Sequence, residues 1–150
     1  MTIKSHEKIL LTGAAGGLGK VLRERLKANC DVLRLSDRID FGPVADKKEE
    51  VVIADLADAD AVDAMGRGVN AIIHVGGVSV EGPVGPIFRA NILGIYHLYE
   101  SARKHGVKRI IFASSNHVTG FYKQSETITA DNPPRPDGVY GVSKAFGEDL

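Results

Sequence analysis

Tyr140-Gly141-Val142-Ser143-Lys144 sets a phenol and an ammonium four residues apart. On a helix that interval puts both side chains on one face, one turn apart. A free phenol holds its proton too tightly to act as a base at neutral pH. An ammonium beside it stabilises the phenolate, so Lys144 can make Tyr140 a general base. Upstream, Ser114-Ser115 offers hydroxyls, and Ser115 could hold a reacting oxygen by hydrogen bond. The interval Tyr-x-x-x-Lys is common and, alone, describes many solvated helix faces. Its partner motif lies near the start of the chain.

That motif is Thr12-Gly13-Ala14-Ala15-Gly16-Gly17-Leu18-Gly19, with glycines at 13, 16 and 19. Glycine at such a turn permits a tight bend, close approach of a pyrophosphate, and close helix–strand packing. Amide groups at the following helix N-terminus face a diphosphate, helped by the helix dipole. Gly13, Ala15, Gly16, Gly17, Leu18 and Gly19 are therefore the expected phosphate cradle. The spacing is G-x-x-G-x-x-G, not the more common G-x-G-x-x-G, and a turn binding nothing is the plain alternative in a chain with 17 glycines.

Asp37 stands about 20 residues on, where an acidic residue accepts the adenosine ribose hydroxyls. A carboxylate there also repels the extra phosphate of NADP, which makes NAD the expected cofactor. Arg38 beside it would favour that phosphate, so tolerance of NADP stays open. Asp55-Leu56 could flank the adenine, or Asp55 could simply initiate the next helix.

These groups need a scaffold that brings them together, and the hydrophobic pattern supplies one. Short apolar runs at 8–12, 31–36, 51–54, 70–75 and 108–113 read as strands. Helices are expected at 17–28, with Leu18, Val21, Leu22 and Leu26 on one face, at 58–66 with Asp58 as cap, and at 86–104. The buried side of that last helix is read as Ile87, Ala90, Ile95, Leu98 and Ala102. Residues 38–50 and 114–135 read as loops, and a final helix starts near Asp137. Strands alternating with helices imply an α/β, Rossmann-type doubly wound parallel sheet in three layers. Gly138 and Gly141 weaken the last helix by up to ~1 kcal/mol each relative to alanine, which suggests that something approaches its backbone. Helix and sheet both stop short at Leu150, so residues 1–150 are expected to be the cofactor-binding front part of a longer polypeptide.

Composition narrows the classes further. Lys plus Arg and Asp plus Glu are both 19, which leaves no electrostatic footprint of a nucleic-acid or membrane-surface binder. No apolar run approaches the ~18 residues of a membrane span. Lys4 and Lys8 before Ile9-Leu10-Leu11 imitate a signal peptide, but the apolar stretch is too short. A single cysteine, Cys30, fits a reducing compartment, and a cytoplasmic protein is expected. Cys30 reads as a helix-end packing residue, and the five scattered histidines show no metal-ligand spacing.

With these motifs in hand, the chain resembles the short-chain dehydrogenase/reductase superfamily in its extended, epimerase/dehydratase-like branch. The resemblance runs through the glycine turn, Asp37, Asp55-Leu56, Asn91-Ile92-Leu93-Gly94, Ser114-Ser115 and Tyr140 with Lys144. It implies that Tyr140 is the base, that Ser115 polarises the substrate oxygen and that Lys144 also binds the nicotinamide ribose. It adds Val75, Gly76, Gly77 and Asn91 to the cofactor side, Asn91 in a largely structural role. The branch's sugar-nucleotide enzymes follow the serines with a stretch ending in Tyr-Gly; here it reads Ser115-Asn116-His117-Val118-Thr119-Gly120-Phe121-Tyr122.

Together with residues 74–81 and 136–144, that stretch is similar to the group that oxidises free hexuronic acids at C1 with NAD, giving an aldarolactone. The likeness implies that Ser79, Ser115, Asn116, His117 and Tyr140 bind galacturonate or glucuronate, with the carboxylate held after Leu150. Such side chains suit a polyol without selecting a carboxylate. His117 alone could equally be a loop histidine fixing its own backbone. Two other readings remain: a nucleotide-sugar epimerase or dehydratase, and a non-catalytic NAD-sensing regulator, against which the Tyr–Lys pair counts. Helices 86–104 and 137–150 could pair with copies of themselves, as dimers of this superfamily do.

Overall fold

The computed structural model describes residues 8–40, 42, 44 and 46–150. The Lys4 end of the signal-peptide-like start, and positions 41, 43 and 45 of the expected 38–50 loop, lie outside the described residues. Five strands, β1 (Lys8–Thr12), β2 (Val32–Asp37), β3 (Glu49–Ile53), β4 (Ala71–His74) and β5 (Arg109–Phe112), form one sheet. Every neighbouring pair is parallel, in the order β3-β2-β1-β4-β5. The order reverses at β1, so the crevice between β1 and β4 is the topological switch point where such sheets bind ligands.

Helices cover both faces. α1 (Gly17–Leu26) packs on one side, where Ile9, Leu11, Leu33 and Leu35 form a core with Leu22 and Leu26. α2 (Ala59–Gly66) and α4 (Gly94–His105) pack on the other, where Leu10 and Ile72 meet Val62, Met65, Ile95 and Leu98. Alternate residues of β1 thus serve opposite cores, which is why its apolar run is unbroken. The expected three-layer α/β architecture is what forms. Burial of Leu10 and Leu98 is complete, so truncating either to alanine removes about 2–5 kcal/mol.

Asp58 caps α2 as expected, its carboxylate accepting the N–H groups of Asp60 and Ala61 at 3.1 Å. The expected 86–104 helix is longer: α3 (Val84–Ile87) runs through a π-helical turn, Phe88–Leu93, into α4. β3 begins two residues before the apolar run, because Glu49 is buried under paired cations. Arg23 reaches its carboxylate with two bonds of 2.6 Å and Lys27 approaches at 3.3 Å.

One face was misjudged. Leu18 and Val21 of α1 are 56% and 52% exposed, not core. Gly19 is the buried position, and a Cβ there would collide with the Gly13 carbonyl, so this helix approaches the sheet through its smallest residue.

Cys30 is buried, donates to the Leu26 carbonyl at 3.3 Å, and has its thiol pKa pushed up by burial. It is a packing residue. Among the described residues no helix is long and apolar enough to cross a membrane.

Candidate active site

The parallel register levels the strand ends: Thr12 pairs with Ser36 and with His74, and His74 with Phe112. The segments leaving those ends therefore emerge along one edge. A cavity of about 1120 Å³ follows it, larger than the ~300–1,000 Å³ usual for drug-sized ligands. In strand order it is lined by Asp55 and Leu56, then Asp37, then Gly13 and residues 15–19, then Val75, Gly76, Gly77 and Ser79, then Ser114, Tyr140 and Lys144.

The glycine turn is held from below. Gly13 has φ +72, and a Cβ there would sit 2.7 Å from the Gly76 backbone, so both the conformation and the space demand glycine. The Gly16 N–H closes the turn on the Gly13 carbonyl at 3.1 Å. The first helical bond runs from the Lys20 N–H to the Gly16 carbonyl at 3.0 Å. The amides of Gly17, Leu18 and Gly19 consequently have no partner among the described residues, as the opening of a helix requires. A Cβ on Gly17 would meet no atom within 4 Å, so packing does not explain that glycine. What a side chain would fill there is the cavity. Unpartnered amides at a helix start, beneath open space, fit a dinucleotide's diphosphate.

Asp37 does two things. Its Oδ2 accepts the Ala15 N–H at 3.0 Å, fixing the turn to the end of β2, and its Oδ1 accepts the Arg38 N–H at 2.8 Å. Each carboxylate oxygen has two lone pairs, so acceptors remain for a ribose diol. Asp55 accepts the Ala57 N–H at 2.9 Å and forms a turn ahead of α2, but it does not initiate that helix, which Asp58 caps.

At the other end α5 (Val139–Asp149) carries Tyr140 and Lys144, both buried. Lys144 Nζ donates to the Ala113 carbonyl at 2.8 Å, and lies 4.9 Å from the Phe112 ring centroid and 5.8 Å from that of Tyr140. Burial pushes the Lys144 ammonium below its ordinary pKa. The object pressed against the glycines of this helix is the protein itself. A Cβ on Gly141 would run into the His117 carbonyl, and one on Gly138 into the Glu81 carboxylate.

Ser115 starts the short 3₁₀ turn Asn116–Thr119, its Oγ accepting the His117 N–H at 3.2 Å and meeting Asn116 Oδ1 at 3.4 Å. Ser115, Asn116 and His117 lie beside the cavity rather than in its lining, whereas Ser114 lines it and donates to the Glu148 carboxylate. His117 Nδ1 is 2.9 Å from both oxygens of Asp137, and its ring meets the Tyr140 ring edge-on with centroids 5.6 Å apart. Asn91 is also outside the lining. Its Oδ1 accepts the Val78 N–H at 2.8 Å, and its Nδ2 donates to the Val78 carbonyl at 2.9 Å and to Ser143 Oγ at 3.0 Å.

Three groups escaped sequence reasoning. Glu81 Oε2 accepts the Tyr140 N–H at 2.9 Å across 59 residues, and no local signal marks a cap supplied from so far away. Arg89, on the π-helical turn, lines the cavity. His74 is buried with Nδ1 2.6 Å from Thr12 Oγ1, stacked on Phe112 at 5.8 Å. Burial first, and the Lys144 charge second, push its pKa down to about 3, so it is neutral. Among the described residues no cluster of His, Cys, Asp or Glu could hold a metal ion.

The sequence profile of the NAD dependent epimerase/dehydratase family matches residues 9–150. The chain belongs to that family. Within it, the chain is 61% identical over 143 residues to a uronate dehydrogenase of Pseudomonas syringae pv. tomato, covering 95% of this chain and 52% of the relative. It is 59% identical over 150 residues to the uronate dehydrogenase of Pseudomonas putida, covering 100% of this chain and 56% of that one. The crystal structure of uronate dehydrogenase from Agrobacterium tumefaciens superposes with a TM-score of 0.93 at 54% identity, over 97% of this chain and 54% of that chain. A mutant of that enzyme complexed with NAD gives 0.93 at 53% identity, over 98% and 55%. This member of the epimerase/dehydratase family therefore spans about half the length of the curated relatives it matches.

Proposed function

We propose that the full-length protein is an NAD-dependent dehydrogenase that oxidises the C1 hydroxyl of a hexuronic acid, galacturonate or glucuronate, to an aldarolactone. The observation that carries this reading is a single cavity lined at one end by Asp37 and the bare amides of Gly17–Gly19, and at the other by Tyr140 and Lys144. Sequence identity of 55–61% to three uronate dehydrogenases supports the substrate class.

In this reading NAD, when bound, supplies the hydride acceptor. Gly13 and residues 15–19 hold the diphosphate, Asp37 takes the ribose diol, and Asp55 and Leu56 border the adenine. Val75, Gly76 and Gly77 border the cofactor on the β4 side, and Asn91 supports it indirectly through Val78. Lys144 stabilises Tyr140 as phenolate, which takes the proton of the anomeric hydroxyl and becomes the neutral phenol, and Ser115 steadies the reacting oxygen. Ser79, Asn116 and His117 bond the remaining hydroxyls. The substrate carboxylate is met by residues that follow Leu150. The protein works in the cytoplasm and pairs with copies of itself through the helical face of residues 86–104 and 137–150.

The test is absorbance of reduced nicotinamide when the full-length protein meets NAD and free galacturonate or glucuronate. Tyr140→Phe should lower turnover by orders of magnitude and spare NAD affinity. A nucleotide-sugar epimerase, the reading that more distant relatives such as UDP-glucose 4-epimerase of Bacillus subtilis at 29% identity support, would show no net cofactor reduction. That outcome would displace the dehydrogenase reading.

A further inference from the structure

The His117–Asp137 contact has a geometry more specific than a loop contact needs. Both carboxylate oxygens lie 2.9 Å from the same ring nitrogen, Nδ1. An ionised carboxylate only accepts, so the nitrogen between its oxygens must carry the proton. The two ring nitrogens of an imidazole face opposite ways, so Nε2 is directed away from Asp137. The backbone holds the arrangement as well. The Asp137 N–H donates to the His117 carbonyl at 3.3 Å, and Ser115 Oγ accepts the His117 N–H at 3.2 Å. Gly120 has no room for a Cβ because the Asp137 carboxylate occupies that space, and Gly141 has none because of the His117 carbonyl. The ring's one aromatic neighbour among the described residues is Tyr140, met edge-on. The His117 side chain is still 45% exposed.

We propose that Asp137 is a positioning residue: it locks His117 as the Nδ1–H tautomer and so presents a bare Nε2, beside Tyr140, as an acceptor for a substrate hydroxyl. The tautomer stands on geometry alone. The acceptor role rests on the dehydrogenase reading above. Histidines that bind a metal through one nitrogen are commonly fixed through the other by a carboxylate, and removing that partner costs about 10–100-fold in affinity or activity; a loss of the same order is expected where the ligand is a hydroxyl. An Nε2 acceptor selects a hydroxyl over an ether or a carboxylate at that point of the sugar, because only the hydroxyl donates.

Two measurements decide it. Long-range ¹H–¹⁵N spectra of histidine-labelled protein report the tautomer without any substrate. His117 should show a protonated Nδ1 and a bare Nε2, and Asp137→Asn should turn this into a mixture. A wild-type His117 protonated on Nε2 overturns the proposal. In the full-length protein, Asp137→Asn should raise KM for galacturonate about 10–100-fold, leaving NAD affinity and thermal midpoint near wild type. In a His117→Gln background the same substitution should have no further effect on KM, as it must if Asp137 acts through the ring. An undiminished effect in that background, or an unchanged KM in the single variant, overturns the positioning role. If the wild type does not oxidise uronates, the function fails while the spectra still decide the tautomer.

Discussion

The Glu81 carboxylate accepts the backbone N–H of Tyr140 at 2.9 Å, so the segment bearing Ser79 caps the helix bearing the phenol. An anion at a helix N-terminus satisfies an orphan amide and complements the dipole. Glu81→Ala should lower stability by about 0.5–2 kcal/mol, the usual cost of a lost cap. It should also lower kcat more than it weakens NAD binding, because it loosens Tyr140 and leaves the glycine turn alone. Denaturant unfolding and steady-state kinetics on one preparation check both; a variant with wild-type stability would show that the cap contributes nothing.

Gly17 and Gly13 should respond oppositely to alanine. A methyl on Gly17 meets nothing in the protein and improves helix propensity by up to ~1 kcal/mol, so stability should hold or rise. It would intrude on the diphosphate, and NAD affinity should fall tenfold or more. Gly13→Ala combines φ +72 with a 2.7 Å collision and should destabilise by more than about 1–3 kcal/mol. Calorimetric titration of Gly17→Ala with NAD separates the two roles, and unimpaired binding would remove the diphosphate from that turn.

Lys144 sits where its charge is costly. Burial pushes its folded-state pKa below the value it has in the unfolded chain. The unfolded state then holds more protons between the two values, so stability rises with pH through that window. Below the folded pKa the full penalty of burying an ammonium applies. Lys144→Met should therefore stabilise the fold at neutral pH while abolishing turnover. Its advantage should shrink as pH climbs through the folded pKa towards the ordinary lysine range. Thermal midpoints of both proteins across alkaline pH test this; a constant gap would assign the effect to packing.

Asp63 works in the other direction. Lys104 at 2.8 Å, with Arg67 and His105, pulls its pKa down to about 2. Its stabilising contribution is complete above the ordinary carboxylate value of 3.8 and is lost as pH falls through about 2. Asp63→Asn should melt below wild type at neutral pH, with the difference closing in strong acid. A gap that persisted there would mean that shape, not charge, ties α2 to α4.

The strands themselves and both ends of the cavity were legible in the sequence because each rests on local pattern, whereas the order β3-β2-β1-β4-β5 is set by long-range pairing. Unbroken apolar runs mark strands buried on both faces, Gly13–Gly19 marks the turn, and the Tyr140–Lys144 interval marks one helix face. The orientation of α1 was not legible, since periodicity counts apolar residues and cannot see that Gly19 is the contact. Nor was the use of Gly138 and Gly141 for His117 and Glu81, because those partners come from distant segments. Glu81, Arg89 and His74 carry no local signature, being ordinary residues until the chain folds around them.

Asn91 has a mechanical consequence. One amide clasps both backbone groups of Val78 and also grips Ser143 on α5, while Glu81 ties the same stretch to that helix a second time. Separating the Ser79 segment from the Tyr140 helix therefore breaks the Glu81–Tyr140 bond together with the Asn91 bonds to Val78 or to Ser143. Opening the cavity at that seam costs those bonds, so a hinge elsewhere in the molecule opens it at lower cost.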